Sequence, residues 1–266
     1  MKKLAIVYDF DGTLSPKNMQ EFEFLPKIGL KAKDFWQAVL DESKRTNGDN
    51  ILIYMSLMLE KAREKKIPIR RADFKRLGKT VELFPGVLTW FDHINEYATL
   101  NKIKIEHFIL SSGLREIIEG TPIAKNFNRI YASGFWYDEN GVARGPATAL
   151  NYTTKTQYLF RINKGSLDIW EHEVINSFVP HQDRHIPFSN IIFIGDGETD
   201  IPCFRLVKDQ GGHSIAVYAP NKKGSKAKSQ KLIADGRVNA AKSADYTSDS
   251  SLADYVRAII KKISLE

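Results

Sequence analysis

The chain is poor in cysteine and has no long apolar segment. Its only cysteine, Cys203, cannot form a disulfide within the chain, which fits a reducing compartment, so we expect a cytoplasmic protein. No apolar run approaches the roughly 20 residues that a membrane-spanning helix requires, so no membrane partner is expected. Residues 1–3 lead directly into a strand-like run, and we expect no signal peptide. The six histidines lack the spacing of zinc ligands.

Basic residues are in excess. The chain has 39 lysines and arginines against 32 acidic residues, a formal net charge of +7, which favours anionic partners without identifying them. The densest basic stretch, residues 222–228, contains no interleaved aromatic side chains, so no nucleic-acid partner is expected. With 42% hydrophobic residues, the composition is that of a globular protein with one large core, or a core with a sizeable insert.

Two aspartates follow the first strand-like run of the chain. Residues 4–8 form this run, and Asp9 and Asp11 come next, with Gly12 and Thr13 after them. Residues two apart on a strand face the same side, so both carboxylates can point into one small site as the chain leaves the sheet. Glycine and threonine suit a turn at that point. Such a pair alone is more typical of a solvated turn, so its interpretation depends on the rest of the chain.

A second acidic group follows another apolar run. Residues 191–194 are apolar, and they lead through Gly195 to Asp196 and Asp200. In an open parallel sheet, ligands bind outside the carboxyl ends of the strands. The acidic groups that follow these two strands are therefore expected to converge, although nearly 190 residues separate them.

Two more segments could contribute polar groups to the same place. Residues 107–110 look like a strand that ends at Ser111, Ser112 and Gly113. Lys155 lies where a helical pattern begins. Serine before a helix is also a common helix cap, so Ser111 has a purely structural alternative.

The remaining pattern predicts an α/β fold with a helical insert. Residues 15–84 contain no convincing strand and two helices, at 34–40 and 51–59, that are separated by a break near 46–48. From residue 85 the pattern returns to alternating helices and strands. These elements are a helix at 87–100, a strand at 129–132, a hairpin at 135–142 with its turn at 139–141, a strand at 214–218 and a helix at 253–260.

Taken in chain order, the segments at Asp9, Ser111, Lys155 and Asp196 resemble the four motifs of the haloacid dehalogenase superfamily, and within it those of the phosphatases with a helical cap similar to phosphoserine phosphatase. The resemblance extends from about residue 4 to about residue 260. It implies a Rossmann-like, three-layer α/β core with a parallel sheet, formed by residues 1–14 and 85–266, and an inserted helical cap at 15–84. It also implies hydrolysis of a small phosphorylated metabolite.

The resemblance implies a role for each motif. Asp9 would attack phosphorus and form an aspartyl-phosphate, and Asp11 would act as general acid and then as general base. Mg²⁺ is the implied cofactor, held by Asp9, Asp196 and the backbone carbonyl of Asp11. Asp200 would orient Lys155 or a metal-bound water rather than bind the metal directly. The phosphate would be bound by Ser111, Ser112, Gly113 and Lys155.

Several alternatives stay open from the sequence. Lys164 lies at the end of the helix that begins near Lys155, and it is an alternative to Lys155 as the lysine of the third motif. In phosphoserine phosphatases a cap glutamate helps to read the amino acid, but that position here is Asn18, with Glu21 and Glu23 nearby, so phosphoserine is not assigned. A phosphomutase of the same fold, or a domain that binds a phosphorylated ligand without catalysis, remains possible. The stretch 165–188 has no assigned role.

Overall fold

A single sheet organises the chain, which a computed structural model describes from Met1 to Glu266. The strand order is β4-β3-β2-β1-β5-β6-β7, and every neighbouring pair is parallel except β3 and β4. Strand β1, the first in sequence, therefore lies in the middle of the sheet. The strands are β1 (Lys2–Tyr8), β2 (Ile103–Leu114), β3 (Arg129–Tyr137), β4 (Ala143–Thr148), β5 (Ile191–Gly195), β6 (His213–Tyr218) and β7 (Ala240–Ser243).

Helices cover both faces of the sheet. Successive side chains of a strand point to opposite faces, so Leu4 and Ile6 pack into one core cluster and Ala5 and Val7 into the other. The predicted Rossmann-like, three-layer core with a parallel sheet is confirmed. The helices are α1 (Phe24–Lys27), α2 (Ala32–Thr46), α3 (Asn50–Glu64), α4 (Arg71–Leu77), α5 (Val87–Leu100), α6 (Arg115–Glu119), α7 (Tyr152–Lys164), α8 (Glu173–Asn176), α9 (Ile201–Asp209), α10 (Ser225–Ala234) and α11 (Ser251–Leu265).

The stretch between β1 and α5 is helical, as the sequence predicts. Helix α2 is capped after Thr46 by Asn47, whose left-handed backbone stops the helix. Helix α3 is capped before Asn50 by Asp49, whose carboxylate accepts from the amides of Ile51 and Leu52. This stretch packs into the same core cluster as one face of the sheet. Its division from the core as a separate cap domain stays a prediction. No helix of the chain is long and apolar enough to cross a membrane.

The strand that the sequence predicts to end in hydroxyls and glycine, at residues 111–113, is present as the end of β2. Strand β2 continues to Leu114, because Ser111 pairs with Ala132 and, after an irregularity in the register, Leu114 pairs with Ser133 of β3. Ser111, Ser112 and Gly113 therefore lie in an irregular segment of β2, and the helix α6 begins after this segment, at Arg115.

The first part of the unassigned stretch 165–188 folds around a buried arginine. Arg161 of α7 is 3% exposed, and its guanidinium donates to the backbone carbonyls of Ser166, Asp168, Ile169 and Glu171. The stretch contains only short helical segments, the α-helix α8 and a 3-10 helix at His181–Asp183. Since a guanidinium offers five donors in a fixed fork, one side chain can hold several carbonyls of an otherwise irregular chain.

Replacing Arg161 by methionine should lower the free energy of unfolding by about 2 kcal/mol or more, because the carbonyls lose their buried donor. Chemical denaturation measures this change. The matched control is Arg205→Met, which breaks only an exposed pair with Asp209 and should change the free energy by less than about 1 kcal/mol. Equal effects of the two substitutions would contradict the role of Arg161.

Candidate active site

Asp9 and Asp196 lie side by side where two neighbouring strands end. The amide of Asp9 donates to the carbonyl of Ile194 on β5 at 2.8 Å, which keeps the two chains paired to the edge of the sheet. Asp9 is 5% exposed. One carboxylate oxygen from each of Asp9, Asp196 and Asp200 lies within 4.8 Å of the others. The convergence expected from the sequence is therefore present in the structure.

Glycines make this close approach possible. Gly12 has a φ of +80°, and a Cβ built there would lie 2.2 Å from Oδ2 of Asp196. A Cβ at Gly195 would lie 2.5 Å from Oδ2 of Asp200. Both contacts are shorter than any real Cβ can make, so the positions of these carboxylates require glycine beside them.

Lys155 joins two of the acids. Its side chain is fully buried, and its ammonium donates to Oδ1 of Asp9 at 3.0 Å and to Oδ1 of Asp200 at 2.7 Å. Burial alone would lower the pKa of Lys155, but Asp200 and Asp9 raise it above its ordinary value, so the side chain stays charged. Lys164 lies elsewhere, because its ammonium donates to the carbonyls of Ile175 and Ser177.

One lysine does not neutralise the acids around it. Burial, and then repulsion from Asp200, raise the pKa of Asp9 to about 7, while Lys155 acts in the opposite direction. Burial and the charge of Asp9 also raise the pKa of Asp196 well above its usual range. Excess negative charge on hard oxygen ligands is the condition that suits a divalent cation such as Mg²⁺. The donor set therefore fits a divalent metal, which would favour the ionised form of Asp9.

Asp11 faces the same space but is held by a different part of the chain. The backbone amide of Met19, in the short 3-10 helix Met19–Glu21, donates to its Oδ1 at 2.9 Å. Burial, and then the charge of Asp9, raise the pKa of Asp11 well above its ordinary value. A raised pKa means that the carboxyl keeps its proton to higher pH, as a general acid requires.

Residues 111–113, near the end of β2, form another part of the wall around this site. Ser111 is 1% exposed, and its hydroxyl oxygen accepts from the amide of Gly113 at 3.0 Å. Tyr54 of α3 donates its hydroxyl hydrogen to the carbonyl of Ser112 at 2.9 Å, which ties the helical stretch to this wall. No local sequence pattern distinguishes Tyr54 from an ordinary core tyrosine, so this contact was not predicted.

A cavity of about 640 Å³ connects these groups. Its lining includes residues that follow three of the strands, namely Asp9, Asp11, Asp196, Ser111, Ser112 and Gly113. The helical stretch between β1 and α5 contributes Gln20, Glu21, Trp36, Ile51 and Tyr54 to the same lining. Most of the lining is polar, which suits a small charged ligand.

The sequence model of the haloacid dehalogenase-like hydrolases matches residues 6–205. Together with the fold and the acidic site, this match shows that the chain belongs to the haloacid dehalogenase-like hydrolase family.

Known proteins similar to this chain include one of Borreliella burgdorferi, described as an uncharacterized protein, which is 32% identical over 98% of this chain and 97% of its own length. Among solved structures, a substrate-bound phosphoserine phosphatase superposes with a TM-score of 0.56 at 15% identity, covering 97% of this chain and 99% of that one. A haloacid dehalogenase family hydrolase of Salmonella enterica serovar Typhi has a TM-score of 0.57 at 15% identity over 89% of this chain, and this chain covers 66% of its length. At such identities the structural matches show the shared fold.

Replacing Gly12 by alanine should weaken binding of Mg²⁺ roughly tenfold or more, because the new Cβ displaces the carboxylate of Asp196. Titration calorimetry with Mg²⁺ measures the affinity. Gly29→Ala is the matched control, since Gly29 also has a positive φ, of +74°, but a Cβ there meets nothing within 4 Å. Unchanged affinity in Gly12→Ala would show that Asp196 does not hold the cation.

Proposed function

We propose that this protein is a Mg²⁺-dependent phosphatase that hydrolyses a small phosphomonoester through an aspartyl-phosphate on Asp9. The observation that carries the proposal is the buried Lys155, whose ammonium holds Asp9 at 3.0 Å in a cavity that also contains Asp11 and Ser111. A structural ion pair would not require a second acid and a hydroxyl in an open cavity beside it. Similarity in fold to phosphoserine phosphatase supports a phosphomonoester as the substrate class.

Asp9 is the proposed nucleophile. Its carboxylate attacks phosphorus, the bond from phosphorus to the ester oxygen breaks, and the phosphoryl group is carried on Asp9. The ammonium of Lys155 donates to Oδ1 of Asp9, and the hydroxyl of Thr13 donates to its Oδ2 at 3.4 Å. This support restricts the orientation of the carboxylate, so little reorganisation is needed at the moment of attack.

Asp11 is the proposed general acid and base. Protonated as its raised pKa allows, it donates its proton to the departing ester oxygen. The resulting carboxylate then takes a proton from the water that hydrolyses the aspartyl-phosphate. The bond from the amide of Met19 to Oδ1 keeps this side chain in one orientation and leaves Oδ2 for proton transfer.

Asp9, Asp196 and the backbone carbonyl of Asp11 are the proposed magnesium ligands. Both carboxylate oxygens of Asp200 already have donors, Lys155 at 2.7 Å and the amide of Gly197 at 3.2 Å, so Asp200 is assigned to positioning Lys155. When bound, the metal supplies positive charge between two anions that otherwise repel. Ser111, Ser112, Gly113 and Lys155 are the proposed partners of the phosphate oxygens.

Asp9→Asn should abolish phosphate release from phosphorylated metabolites and from a generic aryl phosphate, because an amide cannot form the phosphoenzyme. The measurement is phosphate release with and without Mg²⁺, beside the exposed control Asp209→Asn, which should match the wild type. Turnover by Asp9→Asn at the wild-type rate would contradict the mechanism. Absence of any release by a folded wild-type protein would instead favour a phosphomutase or a non-catalytic binding domain.

Asp11→Asn should slow the formation of the aspartyl-phosphate from alkyl phosphates by about 100- to 10,000-fold, because the alkoxide leaving group then departs without a proton. An aryl phosphate should be slowed much less in this step, since a phenolate leaves without protonation, while the later hydrolysis of the aspartyl-phosphate should slow equally for both. Single-turnover rates on a series of leaving groups measure the difference. A loss that is the same for alkyl and aryl esters would remove Asp11 from the role of general acid.

A further inference from the structure

A second cavity, of about 580 Å³, is lined largely by the basic stretch 222–228. Lys222, Lys223 and Lys226 contribute to its lining and no acidic residue does, so we call it the lysine cavity. Lys222 also lines the active-site cavity. The two cavities therefore share one side chain, and the basic stretch lies beside the candidate active site.

The topology of the sheet explains why these lysines lie here. Strands β5 and β6 are parallel neighbours, so Asp196, which follows β5, and Lys222, which follows β6, leave the sheet at the same edge. The loop after β6 is also held in shape. The hydroxyl of Ser225 donates to the carbonyls of Ala219 and Lys222, each 2.7 Å away.

The protein does not neutralise the charges that line the lysine cavity. Lys222, Lys223 and Lys226 form no ion pair, and the sequence has no acidic residue between 218 and 234. Further along helix α10, by contrast, the ammonium of Lys231 lies 3.0 Å from Oδ2 of Asp235. Like charges around one cavity repel each other, and an anion bound there would relieve this repulsion.

Lys222 connects the lysine cavity with the candidate phosphate site. Its charge lowers the pKa of Asp196, although burial and the charge of Asp9 outweigh this effect. The side chain is therefore near enough to act on a proposed metal ligand. A substrate whose phosphate lies at Asp9 could extend past Lys222 and place another anionic group in the lysine cavity.

A phosphate group suits the lysine cavity well. It carries about two negative charges and has three strongly accepting oxygens, while each lysine ammonium offers three donors. Several lysines can therefore bind one phosphate without any of them losing its solvation completely. The lining contains one aromatic ring, that of Tyr218, so it provides no platform for a stack of nucleic-acid bases.

We propose that Lys222, Lys223 and Lys226 bind a second phosphate group of the substrate, so that the enzyme selects small bisphosphorylated compounds over monophosphates. This inference rests on the proposed function for the position of the first phosphate. It assigns the three lysines as specificity residues that take no part in the chemical steps.

The test compares the monophosphate with the bisphosphate of each linear diol from ethanediol to hexanediol. At saturating Mg²⁺, the wild type should show a kcat/KM at least about tenfold higher for the bisphosphate at one chain length or more, as expected for added charge-assisted contacts. A symmetric bisphosphate offers either end for hydrolysis, so a doubling is purely statistical. Ratios that do not exceed this doubling at any chain length would overturn the proposal.

Lys223→Gln combined with Lys226→Gln should lower this ratio at least about fivefold, because it removes two donors from the lysine cavity and keeps Lys222. The matched control is Lys228→Gln combined with Lys231→Gln, which removes the same charge outside the lining of both cavities. Its ratio should equal that of the wild type. An unchanged ratio in the first variant, or an equal fall in both, would overturn the proposal.

A binding experiment separates failure of this inference from failure of the proposed function. Titration of the Asp9→Asn variant with each ester in the presence of Mg²⁺ measures the dissociation constants without turnover. Tighter binding of the bisphosphates, lost when Lys223→Gln and Lys226→Gln are added, supports the second phosphate site even if the wild type releases no phosphate. Equal dissociation constants for monophosphate and bisphosphate at every chain length would overturn it, even if the wild type is an active phosphatase.

Discussion

The buried ion pair of Lys155 with Asp9 and Asp200 is the interaction on which the candidate site depends. A fully buried ammonium is stable only when it is paired, and here two carboxylates 3.0 and 2.7 Å away provide that pairing. Asp9 follows the end of β1, Lys155 lies in the first turn of α7, and Asp200 lies after β5. The ion pair therefore also fixes how these three parts of the chain pack together. Glycines beside Asp196 and Asp200 allow the other carboxylates to crowd around the pair.

This crowding leaves the site short of positive charge. Burial raises the pKa of Asp9, Asp11 and Asp196, and Lys155 offsets only part of this rise at Asp9 and Asp196. A bound divalent cation would offset this negative charge, since carboxylate oxygens are its preferred ligands, and it would also reduce the repulsion between these acids and an incoming phosphate. The proposed phosphatase chemistry is consistent with a site whose negative charge the protein alone does not balance.

The sequence predicts the core of the site better than its surroundings. Asp9, Asp196 and Asp200 could be placed together because acids that follow buried parallel strands meet at one edge of the sheet. The hydrogen bonds of Tyr54 with Ser112 and of Trp36 with Glu21 could not be predicted. They depend on how the helices α2 and α3 pack over that edge of the sheet. The irregular register of β2 against β3 beyond Ser111 could not be predicted either, because a local pattern of hydroxyls and glycine does not reveal how a partner strand pairs.

The most direct test of the account is to identify the residue that carries phosphate during turnover. Rapid quenching of the wild type with a labelled phosphomonoester and Mg²⁺, followed by peptide mapping, should place one phosphoryl group on Asp9. The group should be absent from Asp9→Asn. A phosphoryl group on another residue, or release of phosphate with no phosphoenzyme at any quench time, would contradict the central claim.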